Sequence, residues 1–77
     1  MARKTNLTNE IRRLRFEHGE MTQQELANRI GVTRQTVVAI EGAKYSPTLE
    51  LAFQIARVFD VTLEDVFHYR DAEGGGG

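Results

Sequence analysis

Residues 22–41 read TQQELANRIGVTRQTVVAIE, two short stretches of helical apolar periodicity separated by GVT. Thr22 is a natural helix N-cap, and Glu25 three positions on completes a capping box over QQELANRI. Gly31 closes that helix, and Thr33 caps another that runs to about Glu41. So short a link leaves room only for a sharp change of direction, so the two helices cross instead of lying antiparallel. The positions around the crossing have steric reasons. Ala27 falls where the two axes come closest, Gly31 permits the positive φ of the turn, and Val32, Val37 and Ile40 fill the wedge.

Further helices flank this pair. The first is predicted from Asn9 to His18, with Leu7, Ile11 and Leu14 at helical spacing, Gly19 as its stop, and Arg12 and Arg13 on its polar face. Beyond the break at Ser46-Pro47, Thr48 caps a fourth helix whose stripe of Leu51, Ala52, Ile55, Ala56 and Phe59 suits a core. Thr62, with Asp65 in the box position, opens a short fifth helix, LEDVF, and HYR leads into a frayed end. No alternating segment is long enough for a central strand, so the expected fold is all-α with five helices. The expected organisation is an N-terminal arm over residues 1–8, one folded domain over 9–70, and a disordered glycine-rich tail over 71–77, where GGGG specifies no structure.

Composition narrows the class. At 77 residues one small core must serve, and association would help it. Without cysteine there is neither a disulfide nor a thiolate metal site, and with no long apolar run or signal-peptide core the expected setting is the cytoplasm, away from membranes. The formal charge of -1 conceals a division: residues 1–44 carry eight basic against five acidic side chains, and residues 45–77 two against six. One end tolerates a polyanion and the other faces elsewhere. There is no phosphate-cradling glycine loop and no evident nucleophile-base arrangement, so no catalytic residue, cofactor or enzyme activity is expected. His18 and His68, without cysteine or clustered carboxylates near them, read as solvated side chains and no metal site is expected.

TQQELANRIGVTRQTVVAIE resembles the helix-turn-helix of the phage-repressor-like (XRE/Cro-like) regulators. The flanks LRFEHGEMTQQELA and YSPTLELAFQIARVFDVTLEDVF are similar to those of a short single-domain subgroup, so the resemblance covers residues 9–68. It implies a sequence-specific regulator of transcription, a repressor in expectation, bound to double-stranded DNA. With Val37 and Ile40 turned inward, Gln35 and Ala39 point nearly opposite, Val38 lies beside them, and Arg34 flanks this face at the helix N-terminus. Such a helix presents its N-terminal residues to the major groove. Arg34 suits guanine or a phosphate, Gln35 suits adenine, and Val38 and Ala39 suit close approach to a thymine methyl.

The family's backbone-clamping glutamine falls on Gln23, in the first turn of the second helix. Thr33, Thr36, Lys44 and Tyr45 are further phosphate candidates, Thr33 doubling as a cap. The resemblance also implies a structural ion pair between Arg15 and Glu41. An inverted-repeat operator implies a homodimer, for which Val61, Leu63, Val66, Phe67 and Tyr69 are the apolar candidates. The alternative is an antitoxin-type module that neutralises a protein partner and represses its own operon; no long disordered arm is present to wrap one.

Two departures from the family pattern stand out. The usual glycine comes one residue early, as Gly42-Ala43, so either Ala43 turns left-handed or the helix ends sooner. The GEMT link is one residue longer than usual. Phe16 and Phe53 fit no inward stripe; the termini, above all VFHYR, or a second protomer would cover them, or they stay exposed.

Overall fold

The computed structural model describes residues 6–70, so the tail expected over 71–77 and residues 1–5 of the expected arm lie outside the described residues. In it threonine side chains start four of the helices. Thr22 caps α2 (Gln23–Ile30), Thr33 caps α3 (Arg34–Glu41), Thr48 caps α4 (Leu49–Val58) and Thr62 caps α5 (Leu63–Val66), each accepting a bond from the N–H three residues on. At Thr22 and Thr62 the bond is reciprocated by Glu25 and Asp65, which completes the box and satisfies a second orphan donor. With α1 (Ile11–Glu17) these make the all-α, five-helix fold. Among the described residues no helix is long and apolar enough to cross a membrane.

The core is wholly apolar. Ile11 and Leu14 from α1, Leu26, Ala27 and Ile30 from α2, and Val37 and Ile40 from α3 meet Ile55, Ala56 and Phe59 around α4 and Val66 of α5. Ala27 is completely buried at the α2–α3 crossing, and Gly31 turns the chain there with φ +73°.

Two short strands tie the ends together. β1 (Leu7–Asn9) runs antiparallel to β2 (Phe67–Tyr69), with Leu7 opposite Tyr69 and Asn9 opposite Phe67. Backbone bonds from Glu10 to Val66 and from Arg70 to Asn6 extend this ribbon at both ends. Leu7 therefore lies in a strand and not on the stripe of the first helix, and α1 begins at Ile11 instead of Asn9. The reason is the Asn9 side chain: its Oδ1 accepts from the Ile11 N–H at 3.1 Å, while its Nδ2 donates to the Ile40 carbonyl at 2.9 Å. One amide thus serves the start of α1 and the end of α3.

The ribbon also decides what HYR does. It does not fray, and it does not cover Phe16 or Phe53, which are 54% and 49% exposed. Arg12 stacks over the Phe16 ring, 5.8 Å from its centroid. His18 is exposed yet engaged, donating from Nδ1 to the Leu14 carbonyl at 2.9 Å and meeting Phe59 edge-on at 5.1 Å.

Candidate nucleic-acid interface

The outward face of α3 follows from its packing. Val37 and Ile40 are sealed in the core, so the helix must turn Arg34, Gln35 and Val38 outward, with Ala39 half-buried at the edge. Val38 is 42% exposed beside a Val37 that is 1% exposed. Arg34 makes no ion pair among the described residues, so its charge is available to an anion.

At the helix start, Thr33 and Thr36 share a contact between their hydroxyl oxygens of 3.1 Å, and Thr33 accepts from the Thr36 N–H at 3.2 Å. Two hydroxyls sharing one such bond retain one O–H donor for an outside acceptor. Gln23 is half-buried at the first position of α2, where helix geometry leaves N–H groups unpaired and the dipole end is positive.

At the helix end the chain takes the left-handed route. Gly42 keeps an ordinary φ of -82°, and Ala43 turns over at φ +60°. Ala43 donates to the Ile40 carbonyl at 3.0 Å and Lys44 to the Ala39 carbonyl at 2.9 Å, the paired bonds of a Schellman stop. This sets Lys44 and Tyr45 just past α3, both exposed.

Arg15 and Glu41 form a two-pronged ion pair, Nε to Oε1 at 3.1 Å and Nη2 to Oε2 at 2.9 Å, with side chains only 12% and 13% exposed. The third nitrogen, Nη1, donates to the Met21 carbonyl at 2.7 Å. The longer GEMT link is thereby stapled to the same arginine. Gly19 at φ +78° and Glu20 at φ +56° absorb its extra residue.

The apolar surface is distributed differently from the sequence expectation. Val66 is fully buried and serves the core, while Val61 and Phe67 pack partly against it. Leu63 is half-buried and Tyr69 is 69% exposed. Sequence reasoning passed over Leu49, 67% exposed, which with Leu7, Pro47, Ala52, Leu63 and Phe67 lines an almost wholly apolar groove. Its signal was present in the i, i+4 pair Leu49 and Phe53 on the outer face of α4.

Also passed over was Arg12. It lines a shallow groove with Asn9, Gln23, Val38, Glu41 and Gly42, alongside the outward face of α3.

Two crossing helices joined at a left-handed glycine, the second of them outward-facing and cationic at its start, define a helix-turn-helix domain. The chain matches the helix-turn-helix family over residues 11–66 and belongs to it, within the XRE/Cro-like, DNA-binding regulators. It is 48% identical over 67 residues to an uncharacterized helix-turn-helix transcriptional regulator of Methanocaldococcus jannaschii, MJ0272, covering 87% of this chain and 100% of that one. It is 36% identical over 59 residues to the cryptic phage CTXphi transcriptional repressor RstR of Vibrio cholerae, covering 77% of this chain and 52% of the repressor. A solved structure of a candidate DNA-binding protein from Bacteroides fragilis superposes with a TM-score of 0.71 at 21% identity, covering 80% of this chain and 98% of that one, a likeness of fold.

Proposed function

We propose that this regulator is a repressor that binds an inverted-repeat operator as a homodimer, placing one α3 in each of two successive major grooves. The observation that carries the reading is the division of α3: Val37 and Ile40 sealed inside, Arg34, Gln35 and Val38 outside. Arg34 and Gln35 have the donors for guanine and adenine edges, and Val38 and Ala39 are small enough to let the helix approach a thymine methyl. Gln23, Thr33, Thr36, Lys44 and Tyr45 ring that face and serve the phosphates. Repression is supported by the similarity to RstR. Such a role places the protein in the cytoplasm, with the chromosome.

One recognition helix reads too few base pairs for a unique site, and two-fold pairing sets the helices about 34 Å apart. The groove floored by Leu63 and Phe67, with Leu49 at its side and Tyr69 and Phe53 exposed elsewhere on the surface, is the apolar face offered to a second copy. A footprint on the DNA upstream of its own gene, followed by titrations of two variants, tests the reading. Gln35→Ala should relax preference at one position per half-site by about 1 to 3 kcal/mol, and Lys44→Ala should weaken all DNA alike. Equal losses on operator and random duplex for both variants would overturn it.

A further inference from the structure

Arg12 and Arg13 are neighbours on α1 in opposite electrostatic situations. Arg13 is held between Glu10, at 3.2 Å, and Glu17, at 3.1 Å, so its charge is already answered. Arg12 has no carboxylate partner among the described residues; its recorded contact is the Phe16 ring. Glu41 lines the same groove as Arg12, but both of its oxygens are taken by Arg15. An unanswered guanidinium therefore stands beside Val38 of the reading face and Gln23 of the α2 start.

Its place is fixed rather than incidental. The Asn9 amide clasps the Ile40 carbonyl at the end of α3 and the Ile11 N–H at the start of α1, so the first turn of α1 moves with the recognition helix. Arg12 sits in that turn, and the Phe16 ring one turn on limits the rotamers it explores.

From this geometry we infer that Arg12 is a DNA-phosphate contact, extending the interface from the α2–α3 pair onto the first turn of α1. The inference rests on the DNA-binding reading above. In it, when α3 enters the major groove, the bordering backbone strand passes the groove where Arg12, Gln23 and Gly42 meet. A phosphate there receives the guanidinium from one side and the α2 N-terminus from the other.

The experiment is a fluorescence-anisotropy titration of the full chain against the footprinted operator and a random duplex, at several salt concentrations between about 0.05 and 0.2 M. Arg12→Gln should weaken binding to both duplexes by a similar factor, about 5- to 20-fold, and flatten the dependence of log K on log salt by about 0.9 per protomer. Arg12→Lys should recover most of that slope, because a phosphate accepts a point charge, whereas a merely structural stack on Phe16 would not recover. Arg13→Gln, whose charge is internally paired, should stay within about twofold of the parent. A parent-like salt slope for Arg12→Gln, with the parent still binding its operator, overturns the inference alone. A parent that binds no DNA overturns it together with the reading it rests on.

Discussion

The left-handed turn at Ala43 puts a β-carbon where glycine is the ordinary choice, and the glycine stands one residue earlier in a conformation any residue adopts. A left-handed alanine is strained by about 1 to 2 kcal/mol, part of which is returned by its lower unfolded-state entropy. Ala43→Gly should therefore stabilise the domain by about 1 kcal/mol, raising the melting temperature by about 4 to 8 °C for a chain this size. Thermal denaturation reads this directly, and an unchanged or lowered midpoint would show that the turn carries no strain. Sequence alone left two routes open here, because local chemistry favoured stopping at Gly42 while the two carbonyl bonds past Ile40 favoured going on. The bonds win: the one from Lys44 satisfies the Ala39 carbonyl, which a shorter helix leaves to solvent, and the one from Ala43 adds a second donor to the Ile40 carbonyl beside Asn9. Arg15 shows the same lesson in charge. The paired carboxylate was implied by resemblance, but the third bond, to Met21, depends on how the GEMT loop folds back and has no sequence signature.

Short helices in this fold depend on their caps, since four to ten residues cannot hold a helix by propensity alone. The smallest, α5, is begun by the Thr62–Asp65 box. The Asp65 carboxylate accepts from the Thr62 N–H and secondarily interacts with its hydroxyl, which holds its pKa below the ordinary carboxylate range. A pKa depressed by folding adds stability above the unfolded-state value of about 4, and that contribution is lost as pH falls through the folded value. The stability gap between the parent and Asp65→Asn should accordingly be widest near neutrality and shrink as acid is added below about pH 5. Melting curves across that range check it; a gap that stays constant with pH would mean the carboxylate's charge is irrelevant to the cap. The starts of helices two to four were legible to the residue because their threonine caps are local. The ribbon was not. Three-residue strands carry no detectable alternation, and Leu7 and Tyr69 meet only because α4 and α5 return the chain. Asn9 was expected as the first residue of α1; it ends β1 instead, and its bonds to the Ile11 N–H and the Ile40 carbonyl, the second of them tertiary, have no sequence signature.

At the scale of the whole molecule, the asymmetry is between the outward face of α3, led by Arg34 and Gln35, and an apolar face elsewhere. The core satisfies itself: no polar side chain is buried among the described residues, and Val66, once counted toward pairing, is wholly inside. Away from α3 and α1, the apolar side chains left outside include Leu49, Phe53 and Tyr69, together with the groove over Leu63 and Phe67. Such residues cost little in a monomer individually, but Leu49 and the apolar groove it lines are what a self-complementary contact requires. Fold and assembly make opposite demands on Leu49. Leu49→Glu changes a side chain that is mostly in water already, so the melting temperature of the isolated domain should move little, by about 0.5 kcal/mol in stability or less. In a two-fold interface the same change sets two carboxylates into an apolar seam, so the dimer should dissociate at micromolar concentration. Operator binding should then lose its dependence on paired half-sites, each protomer binding one half-site weakly. Sedimentation of parent and variant, with operators carrying one or two half-sites, separates the cases. A parent that sediments as a monomer and binds two half-sites independently would remove pairing from the account and leave the single-helix reading to stand without it.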